Sequence, residues 1–126
     1  MLVNSGISEY GISDERLRQR GTAAHNTVEI NGQDSSEVWS GFRVARRARP
    51  FAIALTELAD SKRVVAAHSG YQRLKPKITH TREWKMKPGS LLITDSLRGS
   101  CDKAVAYLHI HPAVVVTENT SGCYCL

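Results

Sequence analysis

The sequence predicts an all-β fold, an antiparallel β-sandwich with little helix, and three observations carry that expectation. Apolar residues recur with period two in short runs, turn residues punctuate those runs at close intervals, and a helical period is nearly absent. Side chains along a strand alternate between its two faces, so this patterning buries one face and wets the other. Strands at this spacing, joined by tight turns, read as a sandwich rather than as alternating strands and helices.

Met1-Leu2-Val3 opens the chain as a short apolar strand. Ser13 to Arg20 is the one helical candidate: Ser13 can cap, and Asp14 and Glu15 fill the first turn. With Leu17 as its single apolar residue it reads as one or two turns. Thr27 to Ile30 is a strand, and Asn31-Gly32 closes it because both residues tolerate positive φ. Glu37 to Arg46 carries Val38, Phe42 and Val44 among polar residues and reads as a further strand. Phe51 to Leu58 follows, then the turn Ala59-Asp60-Ser61-Lys62 and a strand from Arg63 to His68. Ile78 to Met86 and Ser90 to Asp95 flank the turn Lys87-Pro88-Gly89. Lys103 to His111 and Val114 to Thr117 complete the series. The tail Ser121 to Leu126, with Cys123 and Cys125, reads as unstructured and leaves the preceding edge unprotected. Both ends therefore read as unfinished: a fragment is expected, and self-association through exposed sheet edges with it.

At 126 residues the chain fits one domain, 1–126, able to bury roughly two thirds of its unfolded surface. Charged residues at 23% are ordinary, which argues against disorder. Seventeen Lys and Arg against twelve Asp and Glu allow an acidic partner without demanding one. Three cysteines form neither a disulfide framework nor a CxxC pair, so Cys101 reads as a structural thiol. The N-terminus lacks a basic start followed by an apolar run, so no signal peptide is expected within this chain. No apolar stretch approaches the length of a membrane span.

The segment Arg20-Gly21-Thr22-Ala23-Ala24-His25-Asn26-Thr27-Val28 holds the most informative polar pair, His25 and Asn26 at the mouth of a strand. Imidazole there can ligate a metal or move a proton, or simply hydrogen-bond to fix the turn. His109 and His111 flank Ile110, so on a strand they share a face; that spacing suits a metal, but a lone pair of this kind is a weak signal and more often marks ordinary surface histidines. Tyr71, in His68-Ser69-Gly70-Tyr71, is a general base only if cationic neighbours lower its pKa; otherwise it packs. Arg43, Arg46, Arg47 and Arg49 form one basic run, and Arg73, Lys75, Lys77, Arg82, Lys85 and Lys87 a second. Guanidinium pairs with carboxylate and sulfate as readily as with phosphate. Trp39 and Trp84 lie close to these runs and suit stacking on a sugar ring as well as core packing. No zinc finger, helix-turn-helix or RNP-like aromatic pattern is present, which disfavours nucleic acid as the partner.

Taken with Leu2 to Tyr10, Ser36-Glu37-Val38-Trp39, Phe42 to Ala48 and Leu108-His109-Ile110-His111-Pro112, these segments resemble the C-terminal β-sandwich of heparinase II/III-like proteins. The Ala-His-Asn-Thr-Val core is the most specific part of the match, and the segments cover nearly the whole chain. The resemblance implies a bacterial, periplasmic polysaccharide lyase that cleaves uronic-acid glycans by β-elimination. It implies a helical toroid upstream that supplies the catalytic tyrosine and the group neutralising the uronate. It also implies a zinc site in which His25 matches one ligand and Asn4 stands at the position of an aspartate. An amide is a poorer zinc ligand than a carboxylate. No complete catalytic set is expected in this chain, zinc is expected only with the full-length parent, and the isolated chain is expected to be inactive. Arg43, Arg46 and Arg47 are the expected contacts to an acidic polysaccharide. The rival reading is a non-catalytic β-sandwich module that binds acidic glycan.

Overall fold

The computed structural model describes residues 2–4 and 6–118 and the strand Tyr124–Cys125. Helix α1 (Asp14–Arg20) precedes strands β1 (Val28–Ile30), β2 (Pro50–Glu57), β3 (Lys62–His68), β4 (Thr79–Lys87) and β5 (Ser90–Arg98). Short strands β6 (Ala104–Ala106), β7 (Thr117–Glu118) and β8 (Tyr124–Cys125) follow. Strands β2 to β5 form a four-stranded antiparallel meander, β1 pairs with β6, and β7 pairs with β8. The predicted all-β sandwich is the observed architecture. No helix among the described residues is long and apolar enough to cross a membrane.

Local chemistry explains the elements. The Ser13 hydroxyl accepts from the Arg16 amide at 3.1 Å, and the Gly21 amide closes the last turn on the Leu17 and Arg18 carbonyls. Seven residues are too few for an independent helix, which needs about 12–15. Side-chain anchors hold it instead: buried Arg16 donates to the Gly41 and Glu9 carbonyls at 2.7 Å each and lies against the Tyr10 and Phe42 rings. Asn31 (φ 52°) and Gly32 (φ 66°) make the turn after β1, closed by the Gln33 amide on the Ile30 carbonyl. Pro88-Gly89 joins β4 to β5 and pairs Lys87 with Ser90.

The core is small. Val28 and Ile30 of β1 meet Tyr71 and Ile78, with Leu74, Leu97 and Cys101 packed around them. The β1–β6 ribbon thus covers the end of the large sheet that carries His68, His80 and Leu97, one cross-strand row. The row Leu55, Val64, Trp84 and Ile93 lies four residues further along β3, β4 and β5, towards the other end, where Leu55 is 65% exposed. Edge strand β2 is exposed along its length and bulges between Phe51 and Ala54.

Four predicted strands differ from the structure, the first being Met1-Leu2-Val3, of which the described residues Leu2 and Val3 keep an isolated Leu2–Ile110 bridge in place of a ladder. Glu37 to Arg46 is a folded-back loop with a single Val38–Val44 bridge, because Ser40-Gly41 reverses the chain in its middle. The predicted strand from Lys103 to His111 keeps ladder pairing only over Ala104–Ala106. Beyond it the Asn26 side chain accepts from the His109 amide, in place of a partner-strand carbonyl. The last predicted strand shifts from Val114–Thr117 to Thr117–Glu118, after a turn in which the Val114 amide bonds the His111 carbonyl. Its partner Tyr124–Cys125 lies in the tail expected to be unstructured, while Met1, Ser121, Gly122, Cys123 and Leu126 lie outside the described residues.

Candidate functional site

The Ala-His-Asn segment is the junction of the fold. His25 ends the 3-10 turn Thr22–Ala24, and its Nδ1 lies 3.0 Å from the Asn4 Nδ2. Asn4 Oδ1 meanwhile accepts from the Gly6 amide at 3.0 Å, an Asx-turn that fixes the side chain. Asn26 donates to the Val3 carbonyl at 2.8 Å and accepts from the His109 amide at 2.6 Å. One side chain therefore ties the N-terminal segment, the strand mouth and the C-terminal segment together. Asn4 and His25, which the sequence resemblance sets at metal positions, are brought into direct contact.

His109 and His111 are not brought to a common ligand. His109 Nε2 donates to the Ala23 carbonyl at 3.0 Å, while His111 Nδ1 accepts from the Ala113 amide at 3.1 Å. Their ring nitrogens serve different local backbone groups.

Behind the Ala-His-Asn segment runs a polar network that sequence reasoning missed. Arg82 of β4 grips Asp95 of β5 through Nε at 2.7 Å and Nη2 at 2.8 Å, and its Nη1 donates to the Asn26 carbonyl. Arg82 is buried, so it is a structural cation and not part of a solvent-facing basic run. His80 Nε2 lies 2.6 Å from the same carboxylate, and His80 Nδ1 lies 2.9 Å from His68 Nε2. With both imidazoles neutral, one tautomer set satisfies every contact: Gly70 N–H to His68 Nδ1, His68 Nε2–H to His80 Nδ1, His80 Nε2–H to Asp95. Gly70 is required there, since a Cβ would stand 2.4 Å from the Ser35 carbonyl oxygen. A signal for this network does exist in the sequence. Two-residue closure at Pro88-Gly89 pairs Lys87 with Ser90, so Arg82, five positions before, must face Asp95, five positions after.

Burial raises the Asp95 carboxyl, but the hydrogen bonds from Arg82 and His80 outweigh it and hold the group below the usual carboxylate range. Burial, helped by the charge of a protonated His80 and by that of Arg82, lowers His68 from 6.5 to about 4. A histidine depressed on folding contributes stability above its unfolded pKa and loses it as pH falls through the folded value. Urea unfolding should therefore weaken between pH 6.5 and about 4, by about 2 kcal/mol once partial solvent screening is allowed for. His68→Gln should flatten the curve in that window. An unchanged curve in that variant would remove His68 from the acid response.

Tyr71 is not a base. It is fully buried, its hydroxyl donates to the Val28 carbonyl at 2.6 Å, and burial pushes the phenol up to about 12. A general base needs the opposite shift.

The candidate glycan contacts sit on the folded-back loop and just beyond it. Arg43 lies over the Trp39 ring, 5.2 Å from its centroid. Arg46 is committed to Glu37 in a bidentate pair at 2.5 Å. Arg47 is exposed. Arg73, from the second run, turns inward to the Ser35, Gly70 and Asp34 carbonyls.

An imidazole and a neutral amide do not make a zinc site, which needs three or four protein ligands. No group of three His, Cys, Asp or Glu able to hold a metal is found among the described residues. A family model described as Heparinase II/III-like, C-terminal, matches residues 1–126, the whole chain. No curated protein and no solved structure gives a match.

Proposed function

The chain belongs to the heparinase II/III-like C-terminal family, and from that premise we propose that it is the β-sandwich portion of a polysaccharide lyase acting on uronic-acid glycans by β-elimination. In that reaction a base removes the proton next to the carboxylate, the enolate is stabilised, and the glycosidic bond at C4 breaks. This chain's part is to present the His25 face and to grip polymer, while an upstream helical toroid supplies the base and the group that neutralises the uronate. The observation that carries the reading is the family match along the whole chain, and the contact of His25 with Asn4 supports it. Tyr71, locked on the Val28 carbonyl, supports placing the base outside this chain. The donor set of His25 and Asn4 does not fit zinc, and the isolated chain is proposed not to retain it.

The polymer contact is electrostatic and should be salt-sensitive. Retention on immobilised heparin or alginate should fall steadily as salt rises. Arg47→Ala and Arg43→Ala should each weaken it about two- to five-fold. Arg46→Ala should change it less, because Glu37 already neutralises that guanidinium. Salt-independent retention, or a dominant Arg46 effect, would contradict this assignment of the basic loop. The second reading, a non-catalytic glycan-binding module, is favoured by the same burial of Tyr71. It differs in requiring no elimination activity from the parent.

A further inference from the structure

A separate cavity of about 470 Å³ opens between the turn after β1 and the folded-back loop, within the range of small-molecule sites, about 300–1,000 Å³. Its apolar wall is Val38 and Trp39, and its polar lining includes Gln33, Asp34, Glu37 and Arg73. Trp39 is 57% exposed even though Arg43 lies over its ring, so a large part of the indole remains open to a ligand. The loop needs no such aromatic for packing: Val38 bridges Val44, and the Trp39 amide bonds the Arg43 carbonyl whatever side chain stands there.

The polar groups sort into committed and available ones. Arg73 spends its donors on three backbone carbonyls and approaches Glu37 at 3.8 Å, and Glu37 is held as a carboxylate by Arg46. Asp34 Oδ1 accepts from the Thr22 amide, which leaves Oδ2 without a hydrogen-bond partner among the described residues. The Gln33 side-chain amide and the Trp39 indole N–H likewise have no hydrogen-bond partner among the described residues. What faces the cavity is thus a flat aromatic surface, a carboxylate oxygen that accepts hydroxyl protons, and an amide that does both. Its lining cation, Arg73, is committed to backbone carbonyls, and Asp34, the lining carboxylate that no guanidinium pairs, would repel a uronate.

We propose that this cavity is a subsite for an uncharged pyranose residue, stacked on Trp39 and hydrogen-bonded to Asp34 and Gln33. The choice of a sugar as ligand rests on the glycan-binding reading above. The preference for a neutral ring follows from the cavity's own charges. The subsite is physically joined to the Ala-His-Asn segment, because Asp34 caps the Thr22 amide three residues before His25.

Indole N–H signals of Trp39 and Trp84, distinguished with Trp39→Phe, are followed by NMR as methyl β-glucopyranoside or glucuronate is added to the chain. Trp39 should shift saturably with the glucoside while Trp84 stays still, and glucuronate should bind about tenfold more weakly. Asp34→Asn, which keeps the oxygen that caps Thr22, should narrow that preference. Trp39→Ala should abolish glucoside binding, and Trp39→Phe, which keeps an aromatic face, should retain it in weakened form. A silent Trp39, or glucuronate binding as tightly as the glucoside, overturns the proposal. Heparin retention measured on the same samples separates the two readings. Retention with a silent Trp39 sinks the subsite alone, and a responsive Trp39 without retention sinks the acidic-glycan reading alone.

Discussion

Arg82→Met should lower folding stability by about 3–5 kcal/mol, as expected when one partner of a buried ion pair is removed. The loss has two sources. Asp95 and the Asn26 carbonyl both lose a charged donor, and neither is well placed to recover it from water. Because Arg82 reaches across from the large sheet to the Ala-His-Asn segment, its removal also frees the strand mouth that carries His25. Urea unfolding measures the first effect and amide exchange at Asn26 and Thr27 the second. Replacing both ends of the pair, Arg82→Met with Asp95→Leu, should recover part of the loss, since an unpaired buried charge is what costs most. A loss below about 1 kcal/mol in the single variant would make this an ordinary surface pair.

That network also marks how far the sequence could be read. The meander β2 to β5 is legible because alternating apolar residues and the turns at Ala59-Asp60-Ser61-Lys62 and Pro88-Gly89 agree with one another. The single helix is legible from Ser13 and its acidic first turn, though its anchoring through Arg16 is not, since Gly41 and Glu9 are brought to it only by the fold. Arg82 looks like one more cation in a basic stretch. Only the hairpin count sets it opposite Asp95, and only the second layer puts the Asn26 carbonyl above it. The family resemblance singles out His25 and Asn4, and no local pattern announces that they touch. The folded-back loop misleads for a specific reason: Val38, Phe42 and Val44 have strand-like character, but Ser40-Gly41 turns the chain before a ladder can form. The cavity beside Trp39 is not legible as a cavity, because its walls join the turn after β1 to the folded-back loop and to the distant Arg73.

β-Elimination needs a base at the C5 proton and a group that neutralises the uronate, held together on the substrate. Proximity and orientation of such groups are worth about 7–11 kcal/mol of barrier. In this chain Tyr71 is buried with its phenol raised, Arg82 is bound to Asp95, and His25 is in contact with the Asn4 amide. The decisive measurement is the ultraviolet absorbance of newly formed unsaturated uronate, followed with heparin, heparan sulfate and alginate, for the purified chain and for a longer parent carrying the toroid. The chain should give no absorbance above buffer while the parent turns over at least one of the three polymers. Turnover by the chain itself, abolished by Tyr71→Phe or His25→Ala, would mean that a complete site lies within these 126 residues and that the division of labour proposed here is wrong.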